Sequence, residues 1–207
     1  MHNDSEHWQK VYGGKPEEEL SWFELNPQIS FDLVRRHCLD KSARIIDVGA
    51  GTSRLVDLLL TDGYANITLL DISKAALDST RARLGAKAEK VTFITADILT
   101  TEEIGKFELW HDRALFHFLT NETDRSHYAM LAARSIVPGG HLVLLTFAPS
   151  GPESCSNLPV CRYSATQLAA IFSNGFALVA SDEISHRTPW GDVQPFTVAV
   201  LQRAVPV

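Results

Sequence analysis

Asp47, Asp71 and Asp97 each close a short apolar run in this 207-residue chain, and His111-Asp112-Arg113 closes a fourth. Carboxylates and a histidine at the ends of apolar strands are the residue types that hold a polar ligand or move a proton beside one. The first acid opens Asp47-Val48-Gly49-Ala50-Gly51, with Ile45-Ile46 before it. The isoleucines and Val48 suit a strand buried on both faces. Gly49 and Gly51 suit a tight turn at which backbone approaches a ligand closely. Leu55-Val56 and Leu58-Leu59-Leu60 then recur at helical spacing and stop near Gly63. Strand, glycine turn and helix make the nucleotide-binding corner of a doubly wound sheet.

Asp47 separates two kinds of nucleotide. A dinucleotide fingerprint needs a third glycine where this chain has Arg54. A carboxylate before the first glycine would also repel a pyrophosphate. It suits a cationic ligand carrying an ammonium and a sulfonium, of which S-adenosylmethionine is one.

The elements that must position these residues follow in order. His7, Trp8, Val11 and Tyr12 share one face of a short helix, broken at Gly13-Gly14-Lys15-Pro16. Asn26-Pro27 reads as a helix start, with Asn as N-cap and Pro in the first turn. Strands are expected at 43–48, 67–70, 91–95, 107–110 and 141–147. Ser73 caps a helix that Gly85 stops, another helix spans about 123–135, and Pro138-Gly139-Gly140 forms a turn. Ser164-Ala165-Thr166-Gln167 is a capping box. The last two strand-like runs, 176–185 and 196–203, have no helix between them and read as an antiparallel pair. The fold class is α/β: a Rossmann-like, doubly wound, seven-stranded sheet, mostly parallel, with an antiparallel C-terminal hairpin. Residues 1–40 form an N-terminal helical lid or cap, and residues 41–207 the ligand-binding domain. The Pro-, Ser- and Gly-rich stretch 148–162 is a functional or mobile loop.

The length fits one sizeable α/β domain. A formal net charge of −6 argues against a nucleic-acid partner. No apolar run reaches the length of a membrane span, and the Met1-His2-Asn3-Asp4 terminus lacks a basic-then-apolar leader, so a cytoplasmic location is expected. The odd count of three cysteines gives no disulfide framework. Cys155 and Cys161 read as free thiols, and no metal is expected.

These motifs resemble the class I S-adenosylmethionine-dependent methyltransferases over roughly residues 40–203. The resemblance extends to the small single-domain members of the thiopurine/tellurite type and to compact lysine methyltransferases, through Asp112-Arg113. It implies S-adenosylmethionine as cofactor. It further implies that Asp47, Gly49, Ala50 and Gly51 form the first cofactor motif, with Ser53 where many members have a third glycine. Asp71 would meet the ribose with Ile72 beside the adenine, and Asp97 would meet the adenine amino group with Ile98 as its apolar neighbour. Pro138-Gly139-Gly140 matches the turn before the fifth strand.

Methyl transfer from a sulfonium is an in-line displacement. The protein must align nucleophile, methyl and sulfur, exclude water and remove a proton where the nucleophile carries one. His111, Asp112 and Arg113 are the candidate catalytic residues. His111 reads equally as a satisfied strand-end histidine, and Asp112–Arg113 as a structural pair. His117 reads as packing. Trp8, Tyr12, Trp22 and Phe23 form either a lid or core anchors. Arg162-Tyr163, His186, Arg187, Trp190 and Gln194 stand where an acceptor site could be lined, and arginines there would favour an anionic acceptor. The expected partner is a small-molecule methyl acceptor, with no nucleic acid and no membrane, in a monomer or weak homodimer. A protein-lysine methyltransferase, a non-catalytic S-adenosylmethionine-binding module and a nicotinamide oxidoreductase are the rival readings.

Overall fold

The computed structural model describes residues 4–205; Met1-His2-Asn3, read above for a leader, lies outside them. Helix α1 (Asp4–Gly14) and a 3-10 turn at Glu17–Glu19 precede α2 (Gln28–His37). Strands β1 (Arg44–Val48), β2 (Asn66–Asp71) and β3 (Val91–Thr95) alternate with α3 (Leu55–Thr61) and α4 (Lys74–Leu84). Then come β4 (Phe107–Arg113), α5 (Glu122–Ser135), β5 (Ile136–Phe147), a small hairpin β6 (Ser154–Cys155) and β7 (Leu158–Pro159), α6 (Ala165–Ile171), β8 (Phe176–Arg187) and β9 (Val193–Arg203).

The seven-stranded sheet has the order β3-β2-β1-β4-β5-β9-β8. Strands β1 to β5 run parallel, and β9 enters antiparallel between β5 and β8. Alternation along each strand feeds two cores. Ile45, Leu69, Leu109, Val143 and Val198 pack with Val34, Leu55, Leu59 and Leu77 from α2, α3 and α4 on one face. Ile46, Leu70, Trp110, Leu144 and Ala199 pack with Tyr128, Leu131, Leu168 and Phe172 from α5 and α6 on the other. A sheet covered on both faces explains why its strands read as near-continuous apolar runs.

Several expected caps are present. Ser73 accepts from the Ala76 N–H, Gly85 follows α4 at φ +56°, and Ser164 and Gln167 complete a reciprocal capping box. Other expectations are corrected. Asn26 does not cap α2: the N-cap is Pro27, with no side-chain bond to the helix. Pro138-Gly139-Gly140 is not a turn ahead of the fifth strand but lies inside β5, where the β4–β5 register shifts between Phe107 and Leu109. The 96–106 connection between β3 and β4 holds no helix, unlike the connections β1–β2 and β2–β3. Within 1–40 the two helices differ. Helix α1 lies over α4, whereas Val34 of α2 is fully buried in the main core.

Candidate functional site

A cavity opens at the carboxyl edge of β1, β2, β3 and β4, where parallel strands present their ends to a ligand. Asp47, Gly49, Ala50, Asp71, Ile72, Asp97, Ile98, His111 and Arg113 all line it. Gly51 stands just behind: its N–H donates to Asp71 Oδ2 (2.8 Å), and a Cβ there would meet the Tyr12 hydroxyl. At Gly49 a Cβ would lie 2.6 Å from Leu115, and its φ is +68°. Both glycines are therefore required by close approach and by backbone conformation.

Asp71 is buried. One oxygen accepts from Gly51, and the other from the Ser73 N–H at 2.7 Å. Burial pushes its carboxyl up to about 6; the Ser73 and Gly51 N–H groups oppose the rise, and Asp47 adds to it. Asp47 is also buried, and its Oδ1 lies 2.7 Å from His111 Nδ1. A carboxylate accepts, so His111 donates from Nδ1, and its Nε2 lies within hydrogen-bond distance of Ser30 Oγ at 3.0 Å. The second oxygen of Asp47 is buried with no partner among the described residues. An orphaned carboxylate oxygen in the wall of a cavity calls for a cationic donor. Asp97 Oδ1 accepts from the Leu99 N–H at 2.8 Å, and Ile72, Ile98, Leu99 and Leu119 supply the apolar slot around it.

Asp112 does not join this site. Successive strand residues point to opposite faces, so His111 and Arg113 reach the cavity while Asp112 turns into the other core. It is fully buried; its Oδ1 accepts from the N–H groups of Leu115 (3.0 Å) and Phe116 (3.2 Å), and its Oδ2 from the Tyr128 hydroxyl (2.5 Å). Burial pushes its carboxyl up to about 6, against those hydrogen bonds and the charge of His111. His117 is buried between Phe118 and Phe147, and burial with the nearby Arg113 charge lowers its pKa to about 3.

The aromatic N-terminal residues form the roof. Trp8 contacts Trp22 and Phe118 edge to face, with ring centroids 5.8 and 5.1 Å apart, and Tyr12 contacts Trp22 at 6.1 Å. Gln9 fixes α1: its Oε1 accepts from Ser73 Oγ (3.0 Å) and from the Ala75 N–H (2.9 Å). Arg54 pairs with Glu17 under the same roof. The later candidates stand elsewhere. Arg162 pairs with Glu153, Trp190 is exposed and bonds Asp192, and Arg187 and Gln194 lie outside the lining. His186 sits one layer behind the cavity, against Glu24. Glu24, Ser30, Gln9 and Cys155 belong to the site or its support without any signal in the sequence, because only long-range packing brings them there.

Residues 45–140, just under half of the chain, match the family described as "Methyltransferase domain". Over that stretch the chain is similar to the methyltransferase domain family. The chain is 27% identical over 148 residues to EEF1A lysine methyltransferase 2 of Danio rerio, a match covering 68% of this chain and 58% of that protein. It therefore spans just over half the length of that curated relative. Its fold is shared with a protein solved in connection with the conversion of a disulfide bond into a thioacetal group during echinomycin biosynthesis. That likeness has a TM-score of 0.79 and 23% identity, over 97% of this chain and 93% of that one. The fold is also shared with Burkholderia thailandensis 1,6-didemethyltoxoflavin-N1-methyltransferase, solved with 1,6-didemethyltoxoflavin and S-adenosylhomocysteine. There the TM-score is 0.71 and the identity 16%, over 98% and 85% of the two chains. Among the described residues no helix is long and apolar enough to cross a membrane, and no cluster of His, Cys, Asp and Glu could hold a metal.

Proposed function

We propose that the protein is an S-adenosylmethionine-dependent methyltransferase acting on a small molecule. The observation that carries this is the unpartnered Asp47 oxygen, set in one cavity with Asp71 and Asp97 at the ends of β1, β2 and β3. These residues fit the cofactor. Asp47 takes the ammonium, Asp71 the ribose hydroxyls, and Asp97 with Ile72, Ile98 and Leu99 the adenine. When bound, the cofactor supplies an already activated methyl group. The chain's own work is then to orient and to exclude water. Gly49, Ala50 and Gly51 let the backbone approach, His111 fixes the Asp47 carboxylate, and Trp8, Tyr12 and Trp22 close the roof. Helix α1 and residues 20–27 act as the lid, while α2 belongs to the body. Of the strand-end trio, His111 and Arg113 face the transfer space.

A roofed cavity favours a small acceptor. Lysine on a protein is the second reading, favoured by the match to EEF1A lysine methyltransferase 2. Calorimetric titration with S-adenosylmethionine, S-adenosylhomocysteine and NAD tests the cofactor assignment. Micromolar binding of the first two and none of NAD is expected. NAD binding alone would overturn the proposal. Loss of methyl donor in the presence of candidate acceptors then separates small molecules from lysine peptides.

A further inference from the structure

Beyond the cofactor half, the cavity ends against Trp8, Trp22, Phe118, Glu24, Arg113 and Cys155. Arg113 donates from Nη1 to the Trp22 carbonyl at 3.0 Å and lies over the Phe196 ring, 5.3 Å from its centroid. Its Nη2 comes only within 3.4 Å of Glu24 Oε1 and is a buried nitrogen without a hydrogen-bond partner among the described residues. The same Glu24 oxygen has a second neighbour, His186 Nδ1 at 3.3 Å, while His186 Nε2 is 2.7 Å from the Ser21 carbonyl. His186 thus holds Glu24 from behind, against the Ser21 carbonyl. Arg113 thus presents at this end of the cavity a guanidinium nitrogen that has no hydrogen-bond partner among the described residues.

The same end offers no base. Both nitrogens of His111 are engaged, by Asp47 and by Ser30. Asp112 and His117 lie outside the lining. Burial holds the Cys155 thiol up at about 11, Ser21 and Arg113 opposing. Burial and Asp71 hold the Tyr12 phenol well above its usual value. Burial alone would raise Glu24, but the His186 hydrogen bond and the Arg113 charge outweigh it and leave a weak base. A nucleophile that must lose a proton to the enzyme finds no acceptor here.

We propose that the acceptor is a small planar organic anion, ionised before it binds, which meets Arg113 and is itself the nucleophile. The inference rests on the methyltransferase reading above. In the transfer step a lone pair of the anion bonds to the methyl carbon. The carbon–sulfur bond breaks, its pair stays on sulfur as a neutral thioether, and no proton moves. The edge-to-face ring walls of Trp8, Trp22 and Phe118 shape the slot for a flat acceptor.

Trp8 and Trp22 report occupancy by fluorescence. Protein saturated with S-adenosylhomocysteine, as checked by calorimetry, is titrated with benzoate, benzamide and benzylamine, which share a shape and differ in charge. Benzoate is expected to quench, benzamide to bind at least tenfold more weakly, and benzylamine weakest. Arg113→Gln should cost benzoate tenfold or more with S-adenosylhomocysteine affinity kept within twofold. Glu24→Gln should strengthen benzoate by removing the carboxylate beside Arg113. Equal binding of the three probes, a preference for benzylamine, no quenching by any of them, or both variants moving benzoate in one direction overturns the proposal. Failure of S-adenosylhomocysteine itself to bind is a separate result, and it overturns the methyltransferase reading beneath it.

Discussion

Replacing Asp112 by alanine should cost stability rather than chemistry. The carboxylate is the acceptor for two backbone N–H groups and one tyrosine hydroxyl, those of Phe116 and Tyr128 buried and that of Leu115 partly so. Leaving a buried donor without its acceptor costs about 1–3 kcal/mol each. Against this stands relief of a buried charge: a carboxyl held at about 6 rather than at its ordinary 3.8 carries a charging cost of about 3 kcal/mol at neutral pH. Asp112→Ala removes both terms, and the carboxylate's charged hydrogen bonds already enter the second. The three donors left without an acceptor should dominate, with a net destabilisation of about 2–4 kcal/mol, or about 5–15 °C in Tm for a chain this size. Asp112→Asn keeps an acceptor for the two N–H groups and sheds the charge, so its stability should lie within about 1 kcal/mol of wild type. Differential scanning fluorimetry measures both, and calorimetry with S-adenosylhomocysteine shows whether the folded variants keep cofactor affinity. An alanine variant with unchanged Tm and abolished methyl transfer would refute the assignment and return Asp112 to the catalytic machinery.

Asp71→Ala should weaken cofactor binding by about 1–3 kcal/mol, the scale of a hydrogen bond to a charged group, read by the same titration. Because the ionised carboxylate is the better acceptor for ribose, wild-type cofactor affinity should rise as pH passes through about 6 and level off above it. The fold responds in the opposite sense. A carboxyl raised from 3.8 to about 6 binds its proton more tightly folded than unfolded, so the Asp71 and Asp112 contributions fall as pH rises from about 4 to about 6. Asp112→Asn should therefore gain Tm on wild type across that window. His117, lowered from 6.5 to about 3, binds fewer protons folded than unfolded, so its contribution falls as pH drops from about 6.5 towards 3. His117→Leu should flatten acid unfolding followed by circular dichroism. Gly51→Ala would force a side chain onto a left-handed backbone and against the Tyr12 hydroxyl. It should reduce cofactor affinity tenfold or more by calorimetry, and Tyr12→Phe should not restore it.

The sheet was legible because burial on both faces writes continuous apolar strands, and because Ser73, Gly85 and Ser164 carry the caps their geometry needs. What escaped was decided at longer range. Gly139 and Gly140 look like a turn, yet Glu108 and Ile136 crowd Gly140 within a running strand. The β6–β7 hairpin has two residues per strand, too short for a periodic signal. The cofactor-side acids could be placed from strand ends alone, and all three line one cavity. His111-Asp112-Arg113 forms one cluster in the sequence, although a period of two sends its middle residue to the opposite face. Glu24 and Ser30 carry no local mark. Their roles arise only when Arg113, His186 and His111 fold against them.

The outermost strand of the hairpin has a consequence for how copies of this molecule meet. Strand β8 pairs on one side only, with β9, and runs for twelve residues. A border of that length is a template onto which another chain can add. Val179 is the extra residue where the register slips between Leu178 and Ala180, and such a bulge twists the border away from a flat approach. Asp182 and Glu183 follow on the same strand, both exposed, so two copies brought edge to edge would oppose like charges. The exposed Leu178 and Val179 are tolerated beside that guard. Deleting Val179 together with neutralising both acids would leave a straight border without its acidic guard, and colloidal stability would then be lost with the interior of the fold untouched.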